Sequence, residues 1–365
     1  MSISERFNRW IFESWQVSAE GLGLLRILSS LFILFFLMPG YGTPHFNFLG
    51  GMPPDFYAPP PGPLMLFDQF PSPAVFQWVH TILLFSLIAM LLGYRTKLTS
   101  IITGLSILIL QGFIFSVGKV NHEILIAVVP VVMAFSNWGA AFSIESIRRG
   151  HDTKTESWPL SLLALIIGFM MFTAGFPKIL GGWLDPTTQA TQGHLLNQFF
   201  VRERQAMLAE FMVQFDSVLF WELLDWLTVI FEIGFLAAVF SPKWFRRFVA
   251  VAVLFHFSTM MILNIAFLPN FLAYAVFLNW DGIYQNNLRF YRRLTGKRGE
   301  RSKKRSALLL SAFACLLFFI LNRLSSMDLV LRESDLTLHE VVFLFFALFV
   351  VMWIGLKKLF VEAEY

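Results

Sequence analysis

The chain has 365 residues, of which 56% are hydrophobic and only 14% charged, with 43 phenylalanines, 11 tryptophans and a formal net charge of +4. So apolar a composition excludes a soluble globular domain and a disordered chain, and it predicts an all-α, polytopic integral membrane bundle. The single cysteine, Cys315, rules out an intrachain disulfide.

A helix that crosses a bilayer needs about 20 predominantly apolar residues. Residues 5–15 mix aromatics with charges and predict a short helix lying on the membrane surface. The N-terminus lacks the short basic, apolar, small-residue pattern of a signal peptide, so the first apolar segment is expected to stay as an anchor. That segment, about 19–39, is the first span. Pro39 to Pro73 follows with only Asp55 and Asp68 charged, and the run Ala58-Pro59-Pro60-Pro61-Gly62 excludes a helix there. It reads as an ordered cap packed on its aromatics.

The second span is about 74–94, and Tyr94 to Lys97 makes a tight basic turn into the third, about 98–117. The fourth is about 121–142 and the fifth about 158–180. Residues 181–215 form a long loop whose latter half, Asn197 to Phe215, has apolar residues at helical spacing and could lie as a lid along the interface. The sixth span is about 217–241, the seventh about 247–267 and the eighth about 270–285. Arg289 to Arg305 carries nine Lys/Arg against one acid, Glu300, and reads as a cytoplasmic loop contacting anionic lipid. No nucleic-acid-binding motif surrounds it. A ninth span, about 306–324, and a tenth, about 338–357, complete an expected ten. The organisation is thus a membrane domain over 1–280, a basic loop over 281–305, and two further helices with a short tail over 306–365.

With the N-terminus inside, 21 of the 28 Lys/Arg fall in inner segments, six fall in outer ones, and Arg26 lies within a span. The positive-inside bias therefore favours ten spans with both ends in the cytoplasm.

Ionisable groups at membrane depth are costly and usually face a polar cavity or a partner. His122 and Glu123 begin the fourth span, Lys178 ends the fifth, Glu232 lies within the sixth and His256 within the seventh. All four helices place these groups between the outer face and the midplane, which predicts one cavity open to the outside or the outer leaflet. Each has a simpler reading. Lys178 could snorkel to the interface, and His122 after Asn121 could cap a helix. Glu232 could be protonated, or paired with Lys178 or His256, and His256 could bond a backbone group. Arg26 is expected to hold helices together through carbonyls or a carboxylate, while Glu222 and Asp225 read as interfacial. The two histidines and a carboxylate lack the spacing of a metal site, so no metal is expected. A lysine in a low-dielectric pocket gives up its proton more readily and becomes a usable general base near neutral pH.

Several short blocks recur in a recognisable order. They are Leu22 to Arg26, Met90 to Arg95, Asn121-His122, Ser136 to Gly139 with Phe142 to Glu145, Phe172 to Lys178 with Trp183, Glu232 to Phe235, and Phe255-His256. In this order the chain, over about 19–280, resembles the HTTM (horizontally transferred transmembrane) family, the membrane domain shared with vitamin K-dependent gamma-carboxylase. The resemblance implies that Lys178 is the base that deprotonates a reduced, vitamin K-like quinone, with His122, Glu232 and His256 around it. Arg26, Asn121 and Trp183 would then line the cofactor site. Two departures stand out: the carboxylase has paired lysines where Lys178 follows Pro177, and its large soluble domain has no counterpart. Quinol or lipid chemistry is therefore expected rather than carboxylation of a propeptide-bearing protein. The other reading is a lipid-binding or peptide-maturation and export accessory protein, whose partners would be membrane lipids and a peptide.

Overall fold

The computed structural model describes residues 2–38, 43–117, 123–149, 154–265 and 267–295, and among them there are helices and turns but no strand. The predicted ninth and tenth spans, the basic loop from residue 296 onward, and Asn121 and His122 lie outside the described residues. Two compact units are formed. The first holds α1 (Ile3–Glu13), α2 (Ala19–Phe32), α3 (Thr43–Gly50), α4 (Pro73–Leu92), α5 (Thr96–Phe115), α6 (Ile124–Met133), α7 (Ile144–Arg149) and the start of α8 (Trp158–Leu180). The second holds the end of α8, then α9 (Ala190–Leu196), α10 (Ala209–Val213), α11 (Val218–Ala238), α12 (Pro242–Leu263) and the start of α13 (Leu268–Ala275). The end of α13 and α14 (Trp280–Thr295) return to the first unit.

Four helices, α4, α5, α8 and α12, are long and apolar enough to cross a membrane. Their surfaces fit that placement. On α4 the exposed stripe is Val75, Trp78, Ile82, Phe85, Ile88 and Leu92, while the buried stripe includes Ser86. A helix facing water would show the opposite pattern, with polar side chains outward. On α5 the inward positions are small or hydroxylated, among them Thr96, Ser100, Thr103 and Gly104, and the outward ones include Leu98, Leu105 and Leu108. A Cβ at Gly104 would meet the Ala127 carbonyl and Val131, so glycine is what lets α5 and α6 touch through their backbones. Ser86 and Thr103 share a buried hydrogen bond of 3.0 Å between α4 and α5.

α1 begins with a capping box formed by Ser2 and Glu5 and buries none of its residues, in keeping with a helix lying on a surface. It is fastened to the start of α8, where the Ser161 hydroxyl reaches the carbonyls of Trp10 and Ile11 at 3.1 and 2.9 Å. The described part of the segment between α2 and α4 is packed on its aromatics, as its composition implies. Phe46 stacks on Phe76, and Tyr57 meets Phe70 and Phe113. It also contains the short helix α3, which proline and glycine counting alone does not reveal.

Three expected elements differ. The fourth span is a ten-residue helix followed by turns, because Asn137 and Phe142 adopt left-handed backbone while Trp138 is drawn inward to donate to Ser100 Oγ at 3.0 Å. The eighth is two helices: α13 stops after eight residues, and Asn279 Oδ1 accepts from the Gly282 amide to start α14. Asp281 of α14 then holds the beginning of α2, accepting from the Ser18 amide at 3.1 Å and from its hydroxyl at 2.5 Å. In the 181–215 loop, the regular part is α9 with a π-helical continuation to Val201, and α10 is only five residues long. The non-helical residues beside α10 are tied to α12: the Leu208 amide donates to the Met261 carbonyl and Asn264 Nδ2 to that of Ala206, both at 2.9 Å.

Candidate functional site

Within the second unit, α8 and α11 meet along glycines. Gly168 and Gly175 are seven residues apart, so they share one helix face. A Cβ at Gly168 would collide with Val239, and one at Gly175 would lie 2.8 Å from Glu232 Cβ. Lys178, three residues beyond Gly175, follows on the same face and is brought against Glu232. Its Nζ donates to Glu232 Oε2 at 2.5 Å and to the Ala174 carbonyl at 3.2 Å. The lysine side chain is 20% exposed and the glutamate 6%. The pair is therefore mostly shielded, and the lysine is the member that can be reached.

The end of α8 explains what lies over the pair. Gly182 has φ +79, the Gly181 amide bonds the Pro177 carbonyl at 2.8 Å, and the Trp183 amide bonds that of Lys178 at 3.0 Å. A left-handed residue of this kind closes a helix and reverses the chain. The reversal carries Trp183 back, so that Lys178 Nζ stands 5.1 Å from the centre of the indole. A lysine over an aromatic face gains a cation–π interaction. Trp183 also meets His194 of α9, with ring centres 5.4 Å apart.

α9 is in turn held by α11. Asp225 is fully buried and accepts from the amides of Ala190 and Thr191, both at 2.8 Å, and from the Thr191 hydroxyl at 2.5 Å. A carboxylate on the first amides of a helix satisfies donors that have no partner inside it and complements the helix dipole. Glu222 accepts from Gln189 Nε2 at 3.2 Å. Asp225 is thus an internal anchor for the strap carrying His194.

His256 is buried on α12. Its Nε2 shares a hydrogen bond of 3.1 Å with Asn270 Nδ2, and its ring stacks on Phe267 at 4.4 Å. Lys178, Glu232 and Trp183 therefore form one cluster, and His256 is engaged by the start of α13. Asn121 and His122 fall outside the described residues. Arg26 belongs to the first unit and is also fully buried. Its Nη1 donates to the carbonyls of Met90 and Leu91 at 2.6 and 2.8 Å, Nε to Trp138 at 3.2 Å, and Nη2 to Phe142 at 2.5 Å. Four of its five N–H groups are spent on backbone, which makes it the clasp that gathers the end of α4 and the turns after α6. Among the described residues no group of three His, Cys, Asp or Glu side chains is placed to hold a metal ion.

Sequence reading missed Asp225 and Asn270 as site-positioning groups. The spacing of Gly168 and Gly175 and their position before Lys178 were a usable signal for the α8–α11 contact; nothing local marks Asp225 as the cap of a helix 35 residues upstream. No protein-family model matches the chain, and neither a curated protein nor a solved structure matches it.

Proposed function

We propose that the protein is a membrane enzyme of HTTM type, with ten spans and both termini in the cytoplasm of a bacterium. In this reading it removes a proton from a reduced quinone or a similarly acidic lipid entering from the outer leaflet. The supporting observation is the Lys178–Glu232 pair, shielded on the glutamate side, reachable on the lysine side and roofed by Trp183. An ammonium–carboxylate pair and its neutral amine–acid tautomer have the same net charge. Moving one proton within the pair therefore leaves a neutral amine facing the substrate. That amine accepts the hydroxyl proton, both side chains end protonated, and the substrate anion faces the Lys178 ammonium. Low local polarity strengthens the final ion contact.

The test uses a reduced naphthoquinone added to the detergent-purified full chain, with the ultraviolet–visible spectrum reporting the bound anion. The native protein is expected to stabilise the anion near neutral pH. Lys178→Arg should bind the quinol without ionising it, because arginine keeps its charge but stays protonated. An arginine variant that ionises the quinol normally would remove Lys178 as the base. A second reading, an accessory protein that binds lipid without reaction, is favoured by the additional Nζ contact with the Ala174 carbonyl, which suits a purely structural lysine. It predicts that Lys178→Arg is as stable as the native protein and that no anion forms in either.

A further inference from the structure

We propose that the turn between α4 and α5, together with the end of α7, binds the phosphate of an anionic phospholipid. The site is built by backbone geometry. Gly93 ends α4 with φ 70 and Arg95 follows with φ 43, both left-handed, so the chain reverses within three residues and Tyr94 is left 40% exposed. α7 docks on this turn: the Glu145 amide donates to the Gly93 carbonyl at 3.2 Å, and a Cβ at Gly93 would collide with Ser143. The docking brings Arg148 to the ring that Arg95 already flanks. The two guanidinium carbons lie 5.7 and 5.9 Å from the centre of Tyr94. Lys97, on the first turn of α5, stands 4.6 Å from the Phe135 ring centre.

Arg95, Lys97 and Arg148 are exposed, and among the described residues none has a carboxylate within ion-pair distance. Glu145, on the same short helix, has its Oε2 beside Gly139. Both guanidiniums stand 5.7–5.9 Å from one ring centre, and an anion that accepts from their donors offsets the repulsion between like charges. Phosphate matches guanidinium geometry. Leu92 and Leu98 flank the turn and are about half exposed, at 52% and 49%. They provide an apolar surface for acyl chains beside the charge, which a free phosphate ion would not use. The chemistry is that of a phosphatidylglycerol-type headgroup at the face where α4 ends and α5 begins.

The test is native mass spectrometry of the full chain from nanodiscs containing phosphatidylglycerol and phosphatidylcholine. The variant Arg95→Asn/Arg148→Gln, with asparagine chosen because it tolerates the left-handed backbone, should lose bound phosphatidylglycerol by roughly tenfold or more. A charge-matched control, Arg6→Gln/Lys243→Gln, should keep it. Equal loss in both variants, or no loss in the first, overturns the proposal. Displacement of the lipid by millimolar inorganic phosphate would make this a free-phosphate site and overturn it as well. Arg148→Gln alone, which leaves the turn intact, should show a smaller loss in the same direction; if the double variant fails to fold and this one binds normally, the site is refuted.

Discussion

Asp225 and Thr191 are joined twice, through the Thr191 amide at 2.8 Å and its hydroxyl at 2.5 Å, and this contact ties a loop helix to the buried face that also carries Glu232 seven residues on. Asp225→Ala leaves the first amides of α9 without acceptors inside the protein. The expected cost is about 1–3 kcal/mol, seen as a lower thermal midpoint in detergent. Asp225→Asn, which keeps one acceptor oxygen, should fall between the two.

Gly175→Ala puts a methyl group 2.8 Å from Glu232 Cβ, where neither backbone can yield cheaply. Destabilisation of about 1–3 kcal/mol is expected from overpacking. The readout is a double-mutant cycle of Lys178→Met and Glu232→Gln in native and Gly175→Ala backgrounds. The coupling between lysine and glutamate should shrink in the alanine background; an unchanged coupling would mean that the glycine does not set their approach.

Arg26→Lys keeps the charge but supplies three donors from one atom in place of a planar fork. Four carbonyls from two segments cannot all be met by it, so a loss of about 1–3 kcal/mol for a stranded buried acceptor is expected. Arg26→Met should be worse still, and thermal unfolding of the two variants decides. A lysine variant of native stability would show that the clasp acts only through its charge.

Asp185 offers a pH prediction outside the spans. The Thr187 amide and then its hydroxyl hold the Asp185 carboxyl below the usual carboxylate range. A depressed folded value means that the stabilisation is present above the ordinary value, about 3.9, and is lost as pH falls through the depressed one. Exchange of the Thr187 amide, corrected for its intrinsic rate, should therefore accelerate on acidification, and Asp185→Asn should abolish that dependence.

The topology has its own test. In a Cys315→Ala background, single cysteines at the exposed positions 55 and 193 should react with an impermeant reagent in intact cells, and one at residue 300 should not. Labelling at 300 from outside would end the ten-span arrangement.

The elements with one dominant signal were legible in the sequence. The expected span of about 158–180 agrees with Trp158–Leu180, because a long apolar run stops at glycines, and the pairing of Glu232 with Lys178 was among the readings that charge and depth allowed. Elements decided by distant contacts were not. The stop after Met133 depends on Trp138 reaching Ser100, and the break after Ala275 depends on an asparagine cap and on Asp281 reaching Ser18. Arg26 was readable as a buried cation, but two of its four carbonyl acceptors, those of Trp138 and Phe142, come from turns that hydropathy cannot place.

α4 is apolar on both its stripes, and this has a consequence for how it finds its place in lipid. Hydrophobicity fixes that such a helix enters the bilayer, yet it cannot fix the helix's rotation about its own axis, since turning it would exchange one oily surface for another. The rotation must come from features too small to register on any hydropathy scale. They are the Ser86 hydroxyl, which finds Thr103, and the Phe76 ring, which fits between Phe46 and Phe113. Ser86→Ala combined with Phe76→Leu would leave the helix as greasy as before and free to spin among several azimuths.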